Sequence, residues 1–139
     1  MQNQLAIFSD GGARGNPGPA ACAIVVQGDK GNPLFKKSEF LGPATNNVAE
    51  YQGLLMGLTW ILENNQVNEI CFYMDSELVV KQIKGLYKVK DENLKLLHQE
   101  AKIILEKIPS KIIFQHVPRE KNKLADALVN EELDSHKLS

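Results

Sequence analysis

Residues 34–64 read LFKKSEFLGPATNNVAEYQGLLMGLTWILEN, and the hydrophobic period changes inside them. Residues 34–41 mix polar and apolar side chains, as a strand near a sheet edge does. From Thr45 to Asn64 the apolar positions are Val48, Tyr51, Leu54, Leu55, Leu58, Ile61 and Leu62, the spacing of one helical face. Thr45 or Asn46 can serve as the N-cap.

Upstream, residues 4–9 (QLAIFS) read as a strand stopped by Asp10-Gly11-Gly12. A Gly/Pro-dense loop follows from Ala13 to Pro19. Residues 20–27 (AACAIVVQ) are small and β-branched throughout, which suits a buried strand. Downstream, residues 69–74 (EICFYM) form a strand ending in Asp75-Ser76. Helices are predicted over 76–84 and 92–107, the second closed by Pro109 and Ser110. Residues 111–117 (KIIFQHV) are the fifth strand. Residues 121–134 make a final amphipathic helix with Leu124, Ala125, Leu128 and Leu133 inward. Hairpins make the first three strands antiparallel neighbours, and crossovers add the other two. The expectation is an α/β fold: one five-stranded mixed sheet with helices on both faces, in a single domain over residues 1–139.

Hydrophobic residues make up 43% of the 139 and charged residues 24%, which excludes a disordered tail, a collagen-like rod and a disulfide-stapled miniprotein. The net charge of −1 counts against a non-specific nucleic-acid coat. It does not count against an enzyme that meets phosphates through cations held by carboxylates. Cys22 and Cys71 sit in apolar runs without a CxxC, so they read as buried free thiols in a reducing cytosol. Apolar runs such as Ala20–Val26 are too short to span a bilayer. The start MQNQLAIFSD lacks the basic and then apolar stretches of a secretory signal. A cytoplasmic monomer away from membranes is expected.

Four acidic residues stand at predicted element ends. Asp10 ends the first strand and Asp75 the fourth. Glu50 and Asp126 lie in the first turns of the first and last helices. Neighbouring parallel strands put their C-terminal ends together, a usual place for a site in an open sheet. Carboxylates gathered there repel unless cations join them, and an all-oxygen set suits Mg²⁺ or Mn²⁺. Each residue alone has an ordinary alternative as a turn former or a partner of the helix dipole. Gly53 and Gly57 lie on the helical face of Glu50, at i+3 and i+7. Each costs about 1 kcal/mol of helix propensity relative to Ala, which suits a helix backbone drawn close to the sheet. The GGARGNPGP loop lacks the Gly-Lys-Ser/Thr of a phosphate-binding P-loop. It is either a plain turn or a place where backbone N–H groups approach a phosphate or ribose, with Asn16 as an added donor.

Four stretches, FSDGGARGNPGPAACAIVV, TNNVAEYQGLLMGL, YMDSELVVKQIKG and HVPREKNKLADALVN, together resemble type 1 ribonuclease H over nearly the whole chain. The resemblance implies a ribonuclease H-like fold and hydrolysis of the RNA strand of RNA–DNA hybrids, leaving 5′-phosphate and 3′-hydroxyl ends. It places the family's four metal-binding carboxylates on Asp10, Glu50, Asp75 and Asp126, serving two divalent ions, Mg²⁺ or Mn²⁺. It sets Asn46 and Asn47 against the hybrid's minor groove. Asn16 and Thr45 fall on positions that hold a DNA-strand phosphate. The backbone of Gly12, Ala13 and Arg14 matches the loop that meets ribose 2′-hydroxyls, the group that separates RNA from DNA.

Three departures from the family pattern bear on function. The segment KQIKGLYKVKDENLK is short where many members carry a basic protrusion. Lys81, Lys84, Lys88 and Lys90 keep some positive charge there, and the segment is either a solvated face and turn or a reduced handle for the DNA strand, with Tyr87 offering a flat surface. The loop before Asp126 is compressed to VPREKN, leaving His116 at a strand end. His116 is then a core-edge histidine, and Arg119 or Glu120 stands in for the family's loop histidine. Asp10 comes almost at once, so no separate N-terminal hybrid-binding domain is expected, and binding should be weak or distributive. A silent binding module on the same scaffold would have lost a carboxylate. A DNA-cutting relative would not need the asparagine pair and the NPGP loop.

Overall fold

In a computed structural model describing residues 4–64 and 69–137, three strands come first: β1 (Gln4–Ala13), β2 (Gly18–Gln27) and β3 (Pro33–Ala44). Then follow α1 (Asn46–Glu63), β4 (Glu69–Met74), α2 (Glu77–Ile83), α3 (Glu92–Lys107) and β5 (Lys111–His116). A short 3-10 turn, Arg119–Lys121, leads into α4 (Lys123–Ser135). Residues 1–3, part of the stretch read as lacking a leader, lie outside the described residues. Among the described residues the sheet has five strands in the order β3-β2-β1-β4-β5. β1–β2 and β2–β3 pair antiparallel, and β1–β4 and β4–β5 pair parallel. This is the expected mixed sheet, with the polar β3 at one edge.

β2 is buried on both faces, which is why AACAIVV reads as an unbroken apolar run. Ile24 and Val26 join the larger core beneath α1, with Tyr51, Leu54, Leu58, Phe72 and Val79. Ala21 and Ala23 point to the other face, where Val129 and Leu133 of α4 pack on them. Small β2 side chains let α4 lie close to the sheet. The buried stripe of α4 is Ala125, Val129 and Leu133, at i, i+4 and i+8. Leu124 was expected inward but is 59% exposed. It sits about 100° around the helix from that stripe, beyond reach of the alanine floor. Cys22 is buried and free, whereas Cys71 is free but only half-buried, on the face of β4 that α1 does not cover. No helix of the described residues is long and apolar enough to cross a membrane.

The first strands are longer than expected, and this matters for the site. β1 does not stop at Asp10. It continues to Ala13, and Asp10 pairs with Ala23 of β2. Its parallel pairing with β4 ends at Ser9↔Met74. Asp10 is therefore the first residue of β1 beyond the end of β4, where the sheet divides. The Gly/Pro loop shrinks to residues 14–17, because Gly18 and Pro19 already pair with Ala44 and Pro43 of β3. Gly15 has φ +86°, and a side chain on Gly18 would overlap the Arg14 carbonyl, so a turn this tight requires both glycines.

Candidate active site

The acidic site is built by a backbone-to-backbone contact between α1 and β1. A Cβ on Gly11 would overlap the Ala49 carbonyl, and one on Gly53 would lie 2.8 Å from the Asp10 carbonyl oxygen. Without side chains at these positions, the second turn of α1 rests directly on β1. Glu50 is thereby carried over the sheet, where its Oε1 accepts a hydrogen bond from Gly11 N–H at 3.3 Å. A Cβ on Gly57 would strike the Phe72 ring, so the second glycine serves the same close approach. Asp75 follows β4 directly and precedes Ser76, whose Oγ caps α2 by accepting from Val79 N–H at 3.3 Å.

One oxygen from each of Asp10, Glu50 and Asp75 lies within 4.8 Å of the others. Asp10 and Glu50 are buried and Asp75 is half-buried. Burial is the first cause that raises the Asp10 carboxyl, to about 7, and the Asp75 charge is the next. The Glu50 carboxyl is also raised, by burial and then by Asp10. Glu50 Oε2 is buried without a hydrogen-bond partner among the described residues. An orphaned carboxylate oxygen beside two others, with oxygen donors alone, fits a hard divalent cation.

Asp126 stands apart from these three. It lies in the first turn of α4 and lines the same cleft of about 380 Å³. Arg119 Nη2 lies 3.6 Å from its Oδ1, and the Asp126 side chain is 31% exposed. Gly12, Ala13, Arg14 and Asn46 also line this cleft. Asn46 Oδ1 accepts from Ala13 N–H at 2.8 Å, and Asn16 Oδ1 accepts from Asn46 N–H at 2.9 Å. These bonds tie the glycine loop to the start of α1. Thr45, not Asn46, is the N-cap: its Oγ1 accepts from Val48 N–H at 3.2 Å. Asn47 is exposed beside it and does not line the cleft. The Arg14 side chain turns to α4, where it pairs with Asp134 at 2.7 Å and donates to Asn130 Oδ1 at 3.3 Å.

The remaining candidates lie away from the cleft. Lys84 caps the C-terminus of α2, and Tyr87 and Lys88 sit in the exposed segment after it. That segment is anchored by buried Gln82, which accepts from the Tyr51 hydroxyl at 2.6 Å and donates to the Lys88 carbonyl at 3.3 Å. His116 is exposed at the end of β5 rather than at the core edge, because β5 is an outer strand of the sheet and His116 is its last residue. Glu120 is exposed in the 3-10 turn, and of that turn only Arg119 lines the cleft. The residue that sequence reading missed is Asn122, which is buried and donates to Asp75 Oδ2 at 3.3 Å. In the sequence it falls inside the helix predicted over 121–134, whereas α4 begins one residue after it.

Residues 8–132 match the family described as reverse transcriptase-like. The chain is 40% identical over 133 residues to the bifunctional protein Rv2228c of Mycobacterium tuberculosis, matching 95% of this chain and 36% of that protein. It thus spans about a third of the length of that curated relative. The crystal structure of LC11-RNase H1 in complex with an RNA/DNA hybrid superposes with a TM-score of 0.89 at 42% identity, covering 94% of this chain and 97% of that one. RNase H1 from the halophilic archaeon Halobacterium salinarum NRC-1 superposes with a TM-score of 0.88 at 36% identity, covering 95% and 98%. With the acidic cleft at the division of a β3-β2-β1-β4-β5 sheet, these matches establish that the chain belongs to the type 1 ribonuclease H family.

Proposed function

We propose that residues 1–139 form one catalytic domain that cuts the RNA strand of RNA–DNA hybrids internally, using two divalent ions, Mg²⁺ or Mn²⁺, and leaving 5′-phosphate and 3′-hydroxyl ends. The observation that carries this reading is the Asp10–Glu50–Asp75 cluster, with the orphaned Glu50 Oε2 inside it. These three would hold the ions, with Asp126 supplying a fourth carboxylate from α4. Divalent ions bound there supply positive charge against the scissile phosphate and a water that ionises near neutral pH.

The chain's own residues do the rest. Asp10 and Glu50 are fixed by a strand and a helix in direct contact, so their oxygens need no rearrangement as charge develops. Asn46 uses Oδ1 to hold Ala13 and keeps its amide N–H₂ for a strand lying in the cleft. Amides can address both 2′-hydroxyls and base edges. Asn47, Asn16 and Thr45, next to Asn46 in the chain or bonded to it, would add substrate contacts beside the cleft, and Arg119 lies against Asp126 within it. Lys84, Tyr87 and Lys88 form a separate contact for the DNA strand. The LC11 neighbour, seen with an RNA/DNA hybrid, supports this substrate class. The reading includes a monomer acting in the cytoplasm.

The test is incubation of the purified protein with labelled RNA–DNA, RNA–RNA and DNA–DNA duplexes, in Mg²⁺, Mn²⁺ or chelator. Cleavage confined to the RNA strand of the hybrid and abolished by chelator is expected. Cleavage of DNA, or cleavage that survives chelation, would overturn the reading.

A further inference from the structure

Asn122 occupies the N-cap of α4 but does not cap it. An asparagine there ordinarily accepts a hydrogen bond from an N–H in the first helical turn. This side chain turns away from its own helix instead. Its Nδ2 donates to the Ser9 carbonyl at 2.9 Å and to Asp75 Oδ2 at 3.3 Å. Both partners are acceptors, so only the amide nitrogen fits against them. The residue is 1% exposed, and its Oδ1 is buried with no partner among the described residues. A forgone cap and an unsatisfied buried oxygen both lower stability. Departures of this kind gather where function requires them.

The surroundings identify the requirement. Ser9 immediately precedes Asp10 on β1. Asp75 is contacted directly at the end of β4. Asp126 N–H donates to the Asn122 carbonyl at 3.1 Å, in the first turn of α4. One residue thus sets β1, the β4–α2 corner and α4 in register at the points where each presents a carboxylate.

We propose that Asn122 is a positioning residue for the carboxylate cluster: its amide N–H₂, shared between the Ser9 carbonyl and Asp75 Oδ2, holds the Asp75 carboxylate toward Asp10 and Glu50 for a divalent cation. This rests on the functional reading above. It assigns Asn122 no contact with substrate.

Two variants test it. Asn122→Ser keeps a capping hydroxyl but is too short to reach Asp75. Asn122→Asp keeps the shape and a capping oxygen, but it cannot donate and sets a second carboxylate against Asp75. The readouts are Tm without metal, the Mn²⁺ concentration that raises Tm, and steady-state cleavage of hybrid. Both variants lose the donor to Asp75, and a lower metal-free Tm is expected whether Asn122 positions the cluster or only braces the fold. In both variants Mn²⁺ affinity and kcat should fall about 10–100-fold at temperatures where the protein is folded, while KM for hybrid changes little. A purely structural Asn122 would lower the metal-free Tm and leave Mn²⁺ affinity unchanged, which overturns the proposal. If the wild type cuts hybrid and both variants match it, this inference alone is lost. If the wild type neither responds to Mn²⁺ nor cuts any duplex, the functional reading fails and takes this inference with it.

Discussion

At Asp10 the fold works against the charge it carries. The carboxyl moves from 3.8 to about 7, first through burial and then through the Asp75 charge. Between those values the folded state holds a proton that the unfolded chain releases, so the stabilisation is complete below about 4 and is lost as pH rises through about 7. The metal-free protein should therefore lose stability across that window, on the order of a few kcal/mol, and its Tm should fall accordingly. Mg²⁺ or Mn²⁺ should restore Tm most at the upper end. Thermal melts at stepped pH, with and without Mn²⁺, check both statements. Asp10→Asn removes the charge without changing the shape. It should abolish hybrid cleavage, raise the metal-free Tm at neutral pH and flatten its pH dependence. Substantial cleavage by the folded variant would sink the assignment of Asp10 as a cation ligand.

Between elements, the contact that matters most is α1 against β1. On an exposed helix Gly→Ala gains about 1 kcal/mol. At Gly53 the added methyl would lie 2.8 Å from the Asp10 carbonyl oxygen, which is backbone and cannot swing aside. Gly53→Ala should therefore lower Tm instead of raising it. It should also cost kcat more than KM, because Glu50 moves with the helix. A variant with higher Tm and full activity would show that the close approach is dispensable. The caps behave differently. Thr45 caps α1 through its own hydroxyl, a contact worth about 1 kcal/mol, whereas Asn46 holds the glycine loop through Ala13. Thr45→Ala should chiefly lower Tm. Asn46→Ala should weaken hybrid cleavage at temperatures where the protein is fully folded.

Across the whole molecule, a net charge of −1 does not describe the surface a hybrid would meet. Charges beyond about 8–10 Å are screened at ordinary ionic strength, so local clusters decide binding. Lys84 and Lys88 lie in an exposed segment outside the cleft, held in place by the buried Gln82–Tyr51 bond. Neutralising both lysines should raise KM for hybrid, weaken its salt dependence and leave kcat nearly unchanged. A loss in kcat at unchanged KM would contradict a binding role. The core offers an independent probe. Cys22 lies at the centre of β2, and burial pushes its thiol to about 12. Alkylation of Cys22 should be negligible in the native protein and should follow global unfolding as denaturant is added.

Local chemistry makes much of this fold legible in one dimension. The change of period inside residues 34–64, the apolar run of β2 and the boundaries of β4 and α3 follow from side-chain pattern and punctuation alone. The four acidic residues stand out for the same reason, since motif spacing along a chain needs no partner strand. What lay beyond the sequence was set by pairing across the sheet. Asp10 reads as a strand end because Gly11 and Gly12 follow it, yet β2 carries β1 on to Ala13, because hydrogen-bond ladders tolerate glycine where propensity disfavours it. Leu124 reads as core, but the alanine floor of β2 determines which stripe of α4 is buried. Asn122 reads as one more residue of the last predicted helix and becomes a brace, because its partners Ser9 and Asp75 are 113 and 47 residues away and meet it only once β1, β4 and α4 converge. Sequence pattern specifies which groups are present and which elements carry them. Only tertiary packing specifies which of those groups lose water together, and so which of them can bind a cation.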